Sequence, residues 1–414
     1  MRILYLTQWY PPETVFVVPE LAQTLQSLSH TVTVLTGFPN YPSGKLYPGY
    51  RIRLWQKETI DGISVIRVPL YPDHSKSAAR RVLNMMSFTA SATILGPWLA
   101  PRADVVYAVY PPVTLGLPAW LLSRLWHVPL TCEIQDMWPE TLLATGFVRN
   151  EQVLGLVGWF AKCIYRRTAA FRVITSGFKA NLVSKGVSAH RIYVVPNWAD
   201  TDLIRPVEPD PELAQRLGLA GRFNVMYTGA HGPAQGLDTI LDAAALLQEM
   251  PEVQFVLVGD GLELPRLQEA VQARKLSNVR FLGRYPISAM PDLYALADVL
   301  LLHLCDDPLF RITIPSKTYA YLASSKPILA AVEGDAADVV RSAEAGLICP
   351  PSNSPLLAET VRQFYMMSPA ARSRMGQNGR NAVCSLNNRE YLVRQIADML
   401  EAAVEEHKSS SAIL

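Results

Sequence analysis

Short β-branched runs alternate with helical stretches along all 414 residues of this chain, and that rhythm restricts its fold more than any other feature. In the first half the runs fall at 3–7, 32–36, 65–69, 105–109, 130–134, 172–175 and 192–195. In the second they fall at 224–227, 254–258, 279–282, 299–303, 327–331 and 346–348. Helical patterns lie between them, as at 238–249, where Ile240, Leu241, Ala244 and Leu247 share one side. Strands that alternate with helices pair in parallel, so the pattern predicts doubly wound sheets. Val256-Leu257-Val258 is apolar on both faces, as a strand inside a parallel sheet must be. Pro206, Pro209 and Pro211 mark a break between two similar halves, and no short repeat is present. The expectation is an α/β chain with two Rossmann-like, doubly wound domains facing each other across a cleft. The first spans 1–200 and the second 201–386, and a C-terminal helix at about 387–407 returns to the first.

Charge and cysteine content narrow the function. Thirty-eight Lys and Arg against thirty-six Asp and Glu leave a formal charge of only +2, which gives no electrostatic case for nucleic acid. Hydrophobic residues make up 50%, so disorder is expected only at the last residues, 408–414. Cys132, Cys163, Cys305, Cys349 and Cys384 are scattered and form no C-x-x-C pair, which fits a reduced, cytoplasmic chain without a disulfide framework or zinc site. The opening residues lack a signal-peptide pattern, and the longest apolar stretches fall short of the roughly 20 residues that span a bilayer. No Ser/His/Asp order, H-E-x-x-H or metal-type spacing is present.

In parallel sheets, ligands bind beyond the carboxyl ends of the strands. One such end is Thr228-Gly229-Ala230-His231-Gly232-Pro233-Ala234-Gln235-Gly236. Its glycines allow close backbone approach, and His231 and Gln235 are donors, so it reads as a diphosphate cradle or as an ordinary βα turn. Gly259-Asp260-Gly261 and Gly283-Arg284-Tyr285-Pro286 follow the next two strands. Pro315-Ser316-Lys317 opens a short helical segment, where free N–H groups and the Lys317 charge favour an anion. Together these four loops predict a nucleotide diphosphate site. In the first half, Trp9, Tyr10 and Glu13 follow the first strand, and Asn40 and Tyr41 follow the second. Gln135, Asp136, Trp138 and Glu140 end another. Asp136 is the carboxylate expected to face the cleft, with a helix N-cap as its alternative.

These motifs resemble the GT-B glycosyltransferases of family 4, with particular likeness to bacterial fucosaminyltransferase-like enzymes of surface-polysaccharide assembly. The likeness rests on Gln8 to Glu13, Leu35 to Pro42, Gln135 to Glu140, Pro196 to Asp200, Gly232 to Asp238, Gly259 to Gly261 and Ile314 to Lys317. It implies transfer of a sugar, with retention and without metal or other cofactor, from a nucleotide sugar (UDP-linked, and an N-acetylated sugar in one version) to a saccharide or lipid-linked saccharide acceptor. It implies that Gly259 and Gly261 border the nucleoside, that Arg284 and Tyr285 meet the base, and that Gly232, Gln235 and Lys317 attend the diphosphate beside Gly229, His231, Pro315 and Ser316. The acceptor side falls to Trp9, Tyr10, Glu13, Asn40, Tyr41, Gln135 and Trp138.

The chain also departs from that family. Ile312 and Ala320 stand where a Glu-x7-Glu pair is common, Ala230 and Gln235 where Arg and Lys are common, and Thr14-Val15-Phe16 where glycines are common. Positive charge at the phosphates is therefore assigned to Lys317 and Arg311, which join Asp136 as catalytic candidates. A GT-B UDP-sugar epimerase and a non-catalytic nucleotide-sugar binder stay open as alternatives. The stretch 76–100 sets Arg80 and Arg81 beside Val82, Leu83, Met86, Ile94 and Trp98. It reads either as a core helix or as a surface that docks on an anionic inner-leaflet membrane.

Overall fold

The computed structural model describes residues 1–15, 17–75, 77–148, 150–386 and 388–412. Its chain forms two compact units, Met1–Pro196 joined by the segment from Glu390 onward, and Asn197–Arg389. In the first, β1 (Arg2–Leu6), β2 (Thr31–Gly37), β3 (Gln56–Ile60), β4 (Ile63–Val68), β5 (Val105–Tyr110), β6 (Leu130–Ile134), β7 (Ala170–Val173) and β8 (Ile192–Val194) make one sheet. Its order is β3-β4-β2-β1-β5-β6-β7-β8, parallel except for the β3–β4 pair. In the second unit, β9 (Phe223–Thr228), β10 (Val253–Val258), β11 (Val279–Gly283), β12 (Val299–His303), β13 (Ile328–Ala331) and β14 (Gly346–Cys349) are ordered β11-β10-β9-β12-β13-β14. All five of its neighbouring pairs are parallel. Each sheet reverses its winding direction once, between β1 and β5 and between β9 and β12. Those two crevices are where a doubly wound sheet receives a ligand.

Thirteen of the fourteen strands lie where the β-branched runs predict them. The exception is β3, whose QKETI sequence is polar at its first four positions, as an edge strand can be. Asp61 and Gly62, both at positive φ, close its two-residue hairpin loop, and that Asp-Gly pair is the signal that marks it. The final helix, Arg389–Ala412, takes in 408–412, against the expectation of disorder there. Its expected start at Asn387 lies outside the described residues, as do Phe16, Lys76, Ile413 and Leu414.

A buried ion pair ties β6 to β7 in the first sheet. Glu133 of β6 and Arg172 of β7 are cross-strand partners, both fully buried, with nitrogen and oxygen 2.8 Å apart. Tyr107 Oη donates to Glu133 over 2.6 Å, while Arg172 donates to the Val195 carbonyl (3.1 Å) and the Pro196 carbonyl (3.0 Å). Removing one member leaves the other charge buried without compensation, a loss of about 3–5 kcal/mol. Glu133→Gln should lower stability by that amount in equilibrium urea unfolding, and Glu133→Met with Arg172→Met should recover most of it. A double variant no more stable than the single one would show that the pair adds net stability.

Candidate functional site

At the winding reversal of the second unit, the chain leaves β9 at Thr228 and passes directly over the turn after β10. A Cβ on Gly259 would come within 1.9 Å of the Gly229 carbonyl oxygen, and one on Gly261 within 2.3 Å of the His231 carbonyl oxygen. Gly259 also sits at φ +139. These two glycines are therefore needed by the backbone itself. Hydrogen bonds seal the crossing: Gly229 N to Val258 O, His231 N to Asp260 O and Glu263 N to His231 O, each 2.9 Å. Gln235 Oε1 accepts from Gly232 N over 3.1 Å, closing the 3₁₀ turn Pro233–Gln235. Gly236, at φ +57, then lets the chain enter the helix Asp238–Leu246 close to His303 and Cys305.

Beneath this crossing lies Lys317. Its Nζ is 3.7 Å from the centroid of the Tyr227 ring, and a Cβ on Gly229 would meet it at 2.9 Å. The ammonium is buried and has no hydrogen-bond partner among the described residues. Burial pulls its pKa from 10.5 to about 7. His231 and His303 have no exposed surface. Both ring nitrogens of His231 and Nε2 of His303 lack partners, while His303 Nδ1 lies 2.7 Å from the Gln235 carbonyl oxygen, the orientation of an N–H donor. Burial and the nearby Lys317 charge depress both imidazoles, His303 to about 4. Buried polar groups are nearly always paired. A cluster of unpaired nitrogens able to carry positive charge has the chemistry to take an anion, since a phosphoryl group would supply the acceptors they lack.

The other predicted donor residues take varied positions. The helix Lys317–Ala323 has only seven residues, so few peptide dipoles add behind Pro315 and Ser316, and the buried ammonium carries most of the local charge. Arg284 is exposed and Tyr285 half-buried just past β11. Arg311 is exposed and ion-paired with Asp306 (3.0 Å) and Glu333 (3.2 Å), so its charge is already balanced. His303 was absent from the sequence candidates. Its signal was its place at the end of β12, the strand beside the winding reversal.

In the first unit the loops after β1, β2 and β4 interlock. Glu13 is buried and accepts from the backbone N–H groups of Tyr10 (3.0 Å), Asn40 (2.8 Å) and Tyr41 (2.8 Å). Arg67 donates to the carbonyls of Gly37 and Pro11 and pairs with Glu58. Asn40 sits in a buried amide chain, with Asn84 donating to it over 3.1 Å and Gln8 donating to Asn84 over 2.6 Å. Tyr10 is fully buried. The structure thus gives Tyr10, Glu13 and Asn40, expected on the acceptor side, the work of holding loops together. Trp9, Tyr41 and His74 cluster nearby, with ring centroids 4.9–6.4 Å apart. At the end of β6, Gln135 donates to Glu133, and Trp138 is half-buried. Asp136 lies beside them, and burial pushes its carboxyl up to about 6.

Residues 15–198 match the family described as glycosyl transferase 4-like domain, and residues 210–382 match glycosyl transferases group 1. The chain belongs to the glycosyltransferases of the GT-B type, whose two Rossmann-like domains are the two units described above. It is similar to the putative colanic acid biosynthesis glycosyl transferase WcaI of Escherichia coli, 27% identical over 72% of this chain and 75% of that one. It is also similar to the probable glycosyltransferase WbjE of Pseudomonas aeruginosa, 26% identical over 64% of this chain and 67% of the relative. Among solved structures, Anabaena HepE in complex with UDP and glucose shares the fold at TM-score 0.71 and 19% identity, over 96% of this chain and 99% of HepE.

An unpaired buried ammonium destabilises the ligand-free protein wherever it stays charged. Because the folded pKa of Lys317 lies below its unfolded value, stability rises with pH between about 7 and 10.5 as that charge is given up. Lys317→Met should raise the melting temperature of the ligand-free protein near neutral pH by several degrees, at about 2–4 °C per kcal/mol for a unit of this size. It should also flatten the rise toward pH 10. A melting temperature at or below wild type would show that the ammonium is already compensated.

Proposed function

We propose that this protein is a retaining glycosyltransferase of the fucosaminyltransferase-like kind. It moves a sugar, N-acetylated in one version, from a UDP-sugar to an acceptor in assembly of a bacterial surface polysaccharide or lipid-linked oligosaccharide. The observation that carries this reading is the buried, unpaired Lys317 ammonium with His231 and His303 at the winding reversal of the second sheet. As the glycosidic bond breaks, the leaving diphosphate gains negative charge, and a preorganised cation there stabilises the transition state more than the ground state. That charge comes from the protein's own side chains, without a metal or other cofactor. HepE in complex with UDP and glucose supports a uridine nucleotide, and the name of WcaI supports a polysaccharide product. In the first unit Asp136 is the carboxylate for the acceptor hydroxyl.

The acceptor side of this reading includes the cytoplasmic membrane surface. Along the helix Ala78–Leu99, Asn84, Phe88, Thr89, Ala92 and Gly96 face the core, while Val82, Leu83, Met86, Ile94 and Trp98 stay exposed, Trp98 by 86%. The helix is thus a core element on one side and an apolar surface on the other. No charged residue follows Arg81 in it. No helix of the described residues is long and apolar enough to cross a membrane. An uncharged apolar face that begins at two arginines suits a surface carrying anionic lipid.

Two measurements test the reading. Lys317→Ala should weaken UDP binding and cut sugar transfer by about 10²–10³-fold, the scale of a lost oxyanion donor. Asp136→Asn should reduce turnover by roughly 10²-fold with UDP affinity unchanged. Wild-type UDP affinity in the first variant would remove the phosphate assignment, and wild-type turnover in the second would remove Asp136 from the reaction. For the membrane, Ile94→Ser with Trp98→Ser should reduce cosedimentation with anionic phospholipid vesicles by tenfold or more, since each buried apolar side chain contributes about 1.5–3 kcal/mol. Unchanged cosedimentation would exclude this face.

A further inference from the structure

Three side chains at the crossing can accept a proton, and each is held in a place that disfavours it. Lys317 Nζ lies against the Tyr227 ring under Gly229. His231 packs at ring-centroid distances of 6.0 Å from Tyr227 and 6.2 Å from Phe281, and the charges of Lys317 and Asp260 act on it in opposite directions. His303 faces Lys317, the Gln235 carbonyl and, across Gly236, the Cys305 thiol. The other charges near Cys305 are Asp307 and Asp238, and Asp238 is occupied by Arg266 at 2.7 Å. Among the described residues Asp260 is thus the carboxylate whose charge acts on His231, and it sits on the exposed turn after β10. Among the described residues, four buried nitrogens here have no partner: one on Lys317, two on His231 and one on His303.

We propose that the second unit takes up protons from solvent as a phosphoryl ligand enters, with Lys317, His231 and His303 becoming charged against the ligand's oxygens. An anion within hydrogen-bond reach reverses both causes that keep these groups neutral, since it supplies opposite charge and satisfies their N–H donors. Ligand affinity and proton binding are then linked, and each strengthens the other. The sign follows from the free state. Above pH 7 the free Lys317 amine is mostly neutral, so binding draws in close to one proton. Below pH 7 Lys317 is already charged, and further uptake belongs to the histidines. This inference rests on the assignment of Lys317 to the donor diphosphate and adds His303 to that site.

Calorimetry with UDP at pH 8 in Hepes and in Tris, whose ionisation enthalpies differ, counts the protons directly. At that pH the terminal phosphate of UDP, with a second pKa near about 6, is already ionised. A net uptake must then come from the protein. Uptake of nearly one proton is expected for UDP and none for uridine, with UDP affinity falling about tenfold per pH unit from pH 7.5 to 9. Lys317→Met should abolish the uptake at pH 8. His303→Gln, which keeps a donor but cannot take a proton, should leave uptake at pH 8 in place and reduce it at pH 6. Equal heats in both buffers together with a flat affinity profile would overturn the proposal while leaving UDP binding intact. Failure of UDP to bind at any pH would instead overturn the donor assignment itself.

Discussion

The second unit is organised around one unfavourable placement, an ammonium group buried against an aromatic face with no hydrogen-bond acceptor. The Tyr227 ring offers a cation–π contact, yet the shift from 10.5 to about 7 means that keeping Lys317 charged still costs on the order of 5 kcal/mol. Such a cost persists only where the surrounding structure holds the group in place. Here the restraint comes from below and above: Lys317 begins a helix whose next residue, Thr318, is fully buried, and Gly229 closes over its end. Destabilised, prepositioned charge of this kind is the usual counterpart of a site that must stabilise a developing anion.

Most of the fold was legible because it depends on alternation, which a single sequence displays. Parallel strands buried on both faces announce themselves as short apolar runs, and that signal identified all six strands of the second sheet. The missing strand, β3, was hidden because an edge strand is polar and its hairpin turn carries the only local mark. The site was legible in part. Strand ends and glycines drew attention to the loops that the structure brings together at the β9–β10 crossing, with Lys317, His231 and Gln235. The sequence did not show which polar groups the fold would already use. Arg311 has suitable chemistry but is consumed by Asp306 and Glu333, and Glu13 by three backbone N–H groups. His303 was overlooked for the opposite reason, since it looks like the polar end of a core strand until its unpaired Nε2 is located.

The glycines illustrate how one residue type can serve two readings at once. Gly259 and Gly261 fall in a G-x-G pattern that implies a bordering nucleoside. In the structure their hydrogen side is filled by the backbone of 229–231, at distances no side chain could occupy. Their primary task is to let one loop cross another. The two readings are compatible, because that crossing is what carries His231 over Lys317. A side chain at either glycine would displace the 229–231 backbone and with it His231.

Glu133 and Asp136, three residues apart at the end of β6, show how environment sorts like groups into different tasks. Glu133 lies inside the sheet, paired with Arg172 and hydrogen-bonded by Tyr107 and Gln135, so both of its oxygens are engaged within the protein. Asp136 lies one turn beyond, half-buried, and burial alone governs its protonation. A carboxyl raised to about 6 exchanges its proton near neutral pH. Glu133, by contrast, is tied to Arg172, Tyr107 and Gln135 and holds the strand end that leads to Asp136.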